Sequence, residues 1–434
     1  MKRQSKLNKW IVLWSAIGVS VVLGILYVWS VISKGLQDEL HWTNTQASLP
    51  YTVFTVCMAL GFFASGRVQD RLGPRVCVMA CSILMGAGLA LSGVFTTPWL
   101  VVAGFGIVCG AGVGAGNAAS LAPSLKWFPS SKKGMVSGAV LAGIGLSAAI
   151  YSPFANFLLG AVGVSNSFLV FGAISFAGIF ALSFNMYDPP RGYDKEKGMV
   201  VPGAGDDGAG AEAAMPDIGA GAGAVAAGNG AGAEAAPSEN DVATKDMLRT
   251  RSFYLIFIVF AVSSASGLMI IAHVAKIAQV QASWEGGFIL VIVLNLFNTA
   301  GRFIGGMLSD RIGRVNTLML ILSAQALNMV FFRFYGDVPQ MAVGIMVQGF
   351  CYGTIFAVMP ALTSDLFGLK SFGSNYGTIF LAWGIGGIIG PMTGARVYDT
   401  TGAYYMAYLI ACVLSLASLT LVLVLRREKK RLKR

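Results

Sequence analysis

Apolar runs close to twenty residues long alternate with short polar segments from Trp10 almost to the C-terminus. The runs cover about 10–32, 47–66, 76–95, 99–121, 134–159 and 167–186, then 252–279, 287–308, 317–334, 339–362, 373–395 and 404–425. Each could cross about 30 Å of hydrocarbon as a helix. The first run is too long for the apolar part of a signal peptide, lacks a small-residue cleavage site, and reads as a retained helix. The expected fold is all-α, a polytopic membrane protein with twelve transmembrane helices.

The polar segments differ in length and kind. The longest separates the sixth run from the seventh and contains GAGDDGAGAEAAMPDIGAGAGAVAAGNGAGAEAAP, nearly devoid of large apolar side chains. Such a composition cannot bury enough surface to offset the entropy of ordering. The expected organisation is a six-helix bundle over 1–190, a flexible cytoplasmic linker over 191–246 and a second six-helix bundle over 247–434.

Composition agrees with a lipid environment. Of 434 residues, 55% are hydrophobic and 12% charged, where soluble domains carry roughly a quarter charged. The net charge of +11 is spread over alternate connections and not gathered on one face, which argues against nucleic acid. One side holds Lys2, Arg3, Lys6, Lys9, Arg67, Arg71, Arg75, Lys126, Lys132, Lys133, Arg311, Arg314, Lys370 and the tail RREKKRLKR. The other side has Lys34, Lys276, Arg333 and Arg396. This asymmetry predicts an inner (plasma) membrane protein with both termini cytoplasmic, its basic tail near anionic lipid. Six scattered cysteines and two histidines offer no disulfide or metal set. No cofactor is expected, and a monomer is the expected assembly.

A polar signature recurs. Gly66, Asp70, Arg71 and Gly73 follow G-x-x-x-D-R-x-G after the second run. Gly306, Asp310, Arg311 and Gly313, with Arg314 next, repeat it after the eighth, 240 residues later. The first glycine lets helix ends approach, the aspartate caps a helix start or pairs with arginine, and the second glycine permits a tight turn. Two copies at equivalent places resemble the loop signature of the major facilitator superfamily. The resemblance implies two six-helix bundles around a central cavity, with alternating access by rocking.

Arg302 is the most informative single residue. It lies eight residues before Asp310, about 12 Å along a helix and so near the bilayer midplane. A cation there is costly unless it faces a wet cavity or a partner, and the spans contain no acidic residue to pair with it. Its repeat counterpart is Phe62, so the loop motif does not explain it. The expected role is binding an anion, most naturally a carboxylate on the guanidinium fork; a structural arginine held by carbonyls is the alternative. His273 is the one histidine inside a span, a candidate cavity donor or proton-sensitive group and equally a packing histidine. Tyr27, Asn117 and Tyr352 are candidate hydrogen-bond partners in the cavity, with ordinary helix packing as the alternative. The glycine-rich fourth, fifth and eleventh runs lack a P-loop ending and read as close helix packing.

The pieces YVWSV, LKWFP, DMLRTRSFYL, GLMIIAHVAKIAQ, TAGRFIGGMLSDRIGR and NYGTIFLAWG resemble the oxalate/formate antiporter family, itself related to monocarboxylate transporters. The resemblance implies that Arg302 binds a substrate carboxylate. An eleventh-helix lysine used by the oxalate exchanger is Trp383 here, and the aspartate of animal monocarboxylate carriers, one turn before the arginine, is Asn298. One cation suits a monoanion better than a dianion, whose second charge would lie unpaired. The expected substrate is a monocarboxylate of the lactate, pyruvate or formate class, moved with a proton; an oxalate/formate-type exchange is the alternative. A multidrug exporter would bring a fourth-helix arginine and a Gly-Pro pair in the fifth, and both are missing. A non-transporting anion sensor would need a signalling module. An enzyme would need a nucleophile–base pair, a carboxylate dyad or a metal set.

Overall fold

The computed structural model describes residues 8–25, 29–42, 44–190, 193–194, 199–200, 241–284 and 286–431. Tyr27 and most of the expected linker lie outside the described residues. The twelve spans are α1 (Lys9–Leu23, resumed at Trp29–Leu40), α2 (Asn44–Leu72), α3 (Pro74–Val94), α4 (Pro98–Trp127), and α5 and α6, which share Lys133–Ser183. The second half holds α7 (Arg251–Ile271, resumed at Val274–Ala282), α8 (Gly287–Ala300, continued through Gly301–Gly305 and Gly306–Ile312), α9 (Arg314–Phe332), α10 (Val338–Phe367), α11 (Phe372–Thr401) and α12 (Tyr405–Arg431). Ten segments among the described residues are long and apolar enough to cross a membrane. The broken α1 and the start of Lys133–Ser183 complete the twelve.

Boundaries differ from the apolar runs where polarity and backbone geometry part company. α1 reaches Leu40, past the end of its run, and Glu39 there accepts a hydrogen bond from Val164 N at 2.9 Å. That contact caps the start of α6. Between α5 and α6 the chain turns at Gly163, with φ 75° and ψ 177°, so one left-handed residue replaces a loop. α7 breaks at His273, whose backbone (φ −118°, ψ 9°) leaves the helix before Val274 restarts it. Among the described residues the strands are confined to one antiparallel pair in a connection, β1 (Tyr193–Asp194) with β2 (Met199–Val200), in the register Tyr193↔Val200.

The motif loops fold as their chemistry demands. Gly73 (φ 84°) and Gly313 (φ 90°) turn the chain directly into α3 and α9. Gly66 meets the backbone of Gly373, and Gly306 that of Gly134, so closely that neither has room for a Cβ. The aspartates cap helix starts, and the starts belong to the opposite half. Asp70 accepts from Gly373 N at 3.1 Å and Ser374 N at 2.7 Å. Asp310 accepts from Gly134 N at 2.8 Å and Met135 N at 2.7 Å. Asp310 also pairs with Arg314, which bonds Asp365 at 3.1 Å and donates to Ser130 O at 3.0 Å. Arg71 and Arg311 stay exposed. Hydrogen bonds joining the halves concentrate between these loops and the level of Arg302, which holds the halves together at the motif end.

Candidate functional site around Arg302

Arg302 lies in a π-helical turn, Gly301–Gly305, that interrupts α8. Such widened turns recur at functional positions because they shift the side-chain register of an otherwise regular helix. The glycines around it permit close backbone contact. Gly301 packs on the backbone of Phe350, and Gly138 of α5 on the carbonyl of Arg302 itself.

Arg302 is 3% exposed. Its Nε donates to Asn298 Oδ1 at 3.1 Å, and Nη1 donates to the Leu141 carbonyl of α5 at 2.6 Å. It also lies over the Phe356 ring, 5.1 Å from the centroid. Nη2 carries no hydrogen bond among the described residues. Three cations are buried there: Lys133, Arg302 and Arg314. Lys133 pairs with Asp365 at 3.3 Å, and Arg314 with Asp310 and Asp365. Arg302 alone of the three has no carboxylate partner. Its acceptors are an amide and a main-chain carbonyl, which solvate the cation without neutralising it.

Phe356 joins this group to a second one. Trp383 Nε1 donates to Tyr352 Oη at 2.8 Å. The Phe356 ring stands 5.2 Å from Tyr352 and 5.9 Å from Trp383. Phe380 stacks on Phe62 of the other half at 4.2 Å and lies 5.1 Å from Trp383. Phe62 holds the repeat position of Arg302. Each half therefore reaches across at the same level, one with a cation on a carbonyl and the other with a ring on a ring.

Of the sequence candidates, Arg302, Asn298, Tyr352 and Trp383 come together. Asn117 is buried in α4, and its Oδ1 has no hydrogen-bond partner among the described residues. His273 sits at the break of α7, where Nε2 meets the Pro391 carbonyl at 3.0 Å and the ring lies 5.5 Å from Tyr404. Those partners belong to the C-terminal half and are not shared with Arg302.

Sequence reasoning missed the Leu141 carbonyl, Phe356 and Gln348. The last is fully buried, with neither side-chain polar atom bonded among the described residues. Gln348, Tyr352 and Phe356 are spaced four apart on α10 and share a helix face, a signal the sequence did contain.

A profile of the Major Facilitator Superfamily matches residues 12–332 and 295–434. An uncharacterized MFS-type transporter of Escherichia coli, YhjX, is 26% identical over 385 residues, 88% of this chain and 86% of that protein. The oxalate:formate antiporter of Oxalobacter formigenes is 25% identical over 419 residues, 95% of this chain and 90% of its own. Among solved structures, the transporter FucP in its outward conformation superposes with a TM-score of 0.65 at 15% identity, covering 94% of this chain and 97% of its own. With twelve helices in two halves, a duplicated loop motif and matches along nearly the whole chain, this protein belongs to the major facilitator superfamily, with relatives in the oxalate:formate antiporter group.

Proposed function

We propose that this multi-pass transporter is a secondary active carrier of small monocarboxylates, with Arg302 as the carboxylate site and alternating access as the mechanism. The observation that carries the reading is Arg302 itself, a buried cation without an acidic partner, held between the two halves. A carboxylate reaching Nη2 and displacing the Leu141 carbonyl from Nη1 would gain two parallel charge-assisted bonds. Asn298 keeps hold of Nε and fixes the plane of the fork. Tyr352 and Trp383 form the polar edge of the site, and Asn117 and His273 are candidate contacts elsewhere in the pathway.

Trp383 supports a monoanion. Where the oxalate exchanger has a lysine, an indole bonded to Tyr352 supplies no second cation. A dianion would keep one charge unpaired in an apolar enclosure. The proton travels with the substrate in this reading, since no acidic residue neighbours Arg302. Exchange of anions is the second reading, favoured by the relative in Oxalobacter formigenes. The termini and the linker lie on the cytoplasmic side of the plasma membrane by the distribution of Lys and Arg, and the monomer is the working unit.

Counterflow in proteoliposomes over small mono- and dicarboxylates, at two pH values, tests the assignment. Lactate, pyruvate or formate is expected to exchange faster than oxalate, and an imposed inward proton gradient to raise net uptake. Trp383→Lys is expected to move the preference towards dicarboxylates by about tenfold, the scale of one added charge–charge bond. An unchanged ratio of dicarboxylate to monocarboxylate uptake in that variant removes the monoanion reading.

A further inference from the structure

The two gate latches look alike at their aspartates and differ in what supports them. Asp310 receives the start of α5, and ions fix that start: Lys133 on Asp365, and Arg314 on Asp365, Asp310 and Ser130 O. Asp70 receives the start of α11, where the corresponding residues are Pro74 and Leu125, 240 residues before Arg314 and Asp365, and Phe372, which precedes the receiving Gly373 as Lys133 precedes Gly134. None of these can make an ion pair.

Residues 241–250 stand in that place. Asp241 Oδ1 accepts from Leu369 N at 3.0 Å and Lys370 N at 3.2 Å. Val242 N donates to Phe367 O at 3.1 Å, and Val242 O accepts from Asn375 Nδ2 at 3.0 Å. Thr244 Oγ1 donates to Asn375 Oδ1 at 2.7 Å. Asn375 is fully buried and engages this segment with both ends of its amide. The residues just before it, Gly373 and Ser374, are the two whose N–H groups hold Asp70. Beyond Thr244 a single helical turn, Thr244–Met247, buries Met247, and Thr250 caps α7 by accepting from Phe253 N at 3.2 Å. The segment is thus anchored on α7 at one end and on the first turn of α11 at the other.

We propose that residues 241–250 form a strap that aims the first turn of α11 at Asp70, with Asp241, Thr244 and Asn375 as positioning residues of the motif-end gate. The N–H groups at a helix start point where the preceding loop puts them. The loop between Phe367 and Phe372 turns at Gly368 (φ 76°) and takes its shape from the strap. Where Asp310 has an ion-paired arginine bonded to it, the Asp70 latch has Lys126 only as a neighbouring charge and uses a stretch of chain that leads in from the linker. A pull or a binding event on the chain before Asp241 reaches Asp70 through the side chains of Asp241, Thr244 and Asn375. The substrate assignment plays no part in this inference.

The test uses the full-length chain in a cysteine-free background, free of substrate, with spin labels at Leu72→Cys and Ile312→Cys. Both positions are exposed at the motif end, one in each half. Pulsed dipolar spectroscopy reads the distance between them. Asp241→Asn with Thr244→Val is expected to raise the long-distance population about threefold, in keeping with the loss of about one net hydrogen bond. Asp70→Asn alone is expected to raise it too, and the strap pair to add little on top, because both act through one latch. An unchanged distribution in the strap variant overturns the proposal. So does a shift of the same size with and without the Asp70 carboxylate. If the pair folds poorly, the single variant Asp241→Ala is read together with its unfolding midpoint. A lowered midpoint with an unmoved distance distribution also overturns it.

Discussion

Replacement of Arg302 by alanine is expected to lower the initial rate of monocarboxylate uptake into proteoliposomes by about 100-fold or more. Bonds to a charged group contribute about 1.5–3 kcal/mol each. A bidentate carboxylate makes two, and every 1.4 kcal/mol is a factor of about ten. Arg302→Lys keeps the charge and loses the fork, so it is expected to recover only a minor part of the rate. The fold should survive both changes. The Leu141 carbonyl keeps its place in α5, and Asn298 exchanges a cationic partner for water or lysine. The variants must reach the membrane at parental levels for the comparison to count. Uptake by Arg302→Ala at the parental rate ends the carboxylate assignment, whatever the substrate screen returns.

The buried cation itself was legible in the sequence because a charge in the middle of an apolar run is conspicuous by its cost alone. So were the helix number and the two halves, since each span carries its own hydropathy signal and the loop motif marks the same turn twice. The details of Arg302 were hidden for a physical reason. Its partner in the opposite half is the carbonyl of Leu141, and every residue has a carbonyl. The π-helical turn around it is likewise spelled only by glycines that also serve packing. Gln348 stood in plain view, one helical turn before Tyr352, but a lone amide in a glycine-rich run carries less weight than a charge. His273 is the opposite case. A histidine in a span stands out at once, while its partners, the Pro391 carbonyl and Tyr404 at the break of α7, are not spelled by any local pattern.

The linker divides along the same line. Composition identified the glycine–alanine run, whose residues lie outside the described structure. Composition could not show that Asp241, Val242 and Thr244 of the expected 191–246 segment are fastened to α11, because the bonds involved are main-chain groups and one buried asparagine. At the other end, Tyr193 packs edge-on against Trp127 at 4.7 Å, and Lys126 pairs with Asp188 at 2.7 Å. Local polarity reports whether a segment can build a core of its own. It says little about a segment that borrows one.

Loss of the gate aspartates is expected to have the second large effect. Asp70 and Asp310 each accept two main-chain N–H bonds from the opposite half. At about 1.5–3 kcal/mol per bond to a charged acceptor, either one contributes several kcal/mol to the closed motif end. Ser137 reports on that closure. It is fully buried on α5, and its hydroxyl donates to the Ala357 carbonyl of α10 at 2.7 Å, so a thiol there is shielded while the halves are together. In a cysteine-free background, Ser137→Cys should react slowly with a maleimide. Adding Asp310→Ala should speed the reaction by about 100-fold, the factor that roughly 3 kcal/mol implies. Asp70→Ala should act in the same direction, and the two together should saturate, since an end that is already open gains nothing from a second lost latch. Arg314 keeps Asp365 and Ser130 O when Asp310 is removed, so no orphaned cation confuses the result. Turnover should fall in both variants, because a carrier that cannot reclose its motif end cannot complete the cycle. If the thiol at position 137 reacts no faster when both aspartates are gone, the closed end is held by helix packing, and the duplicated motif does not latch it.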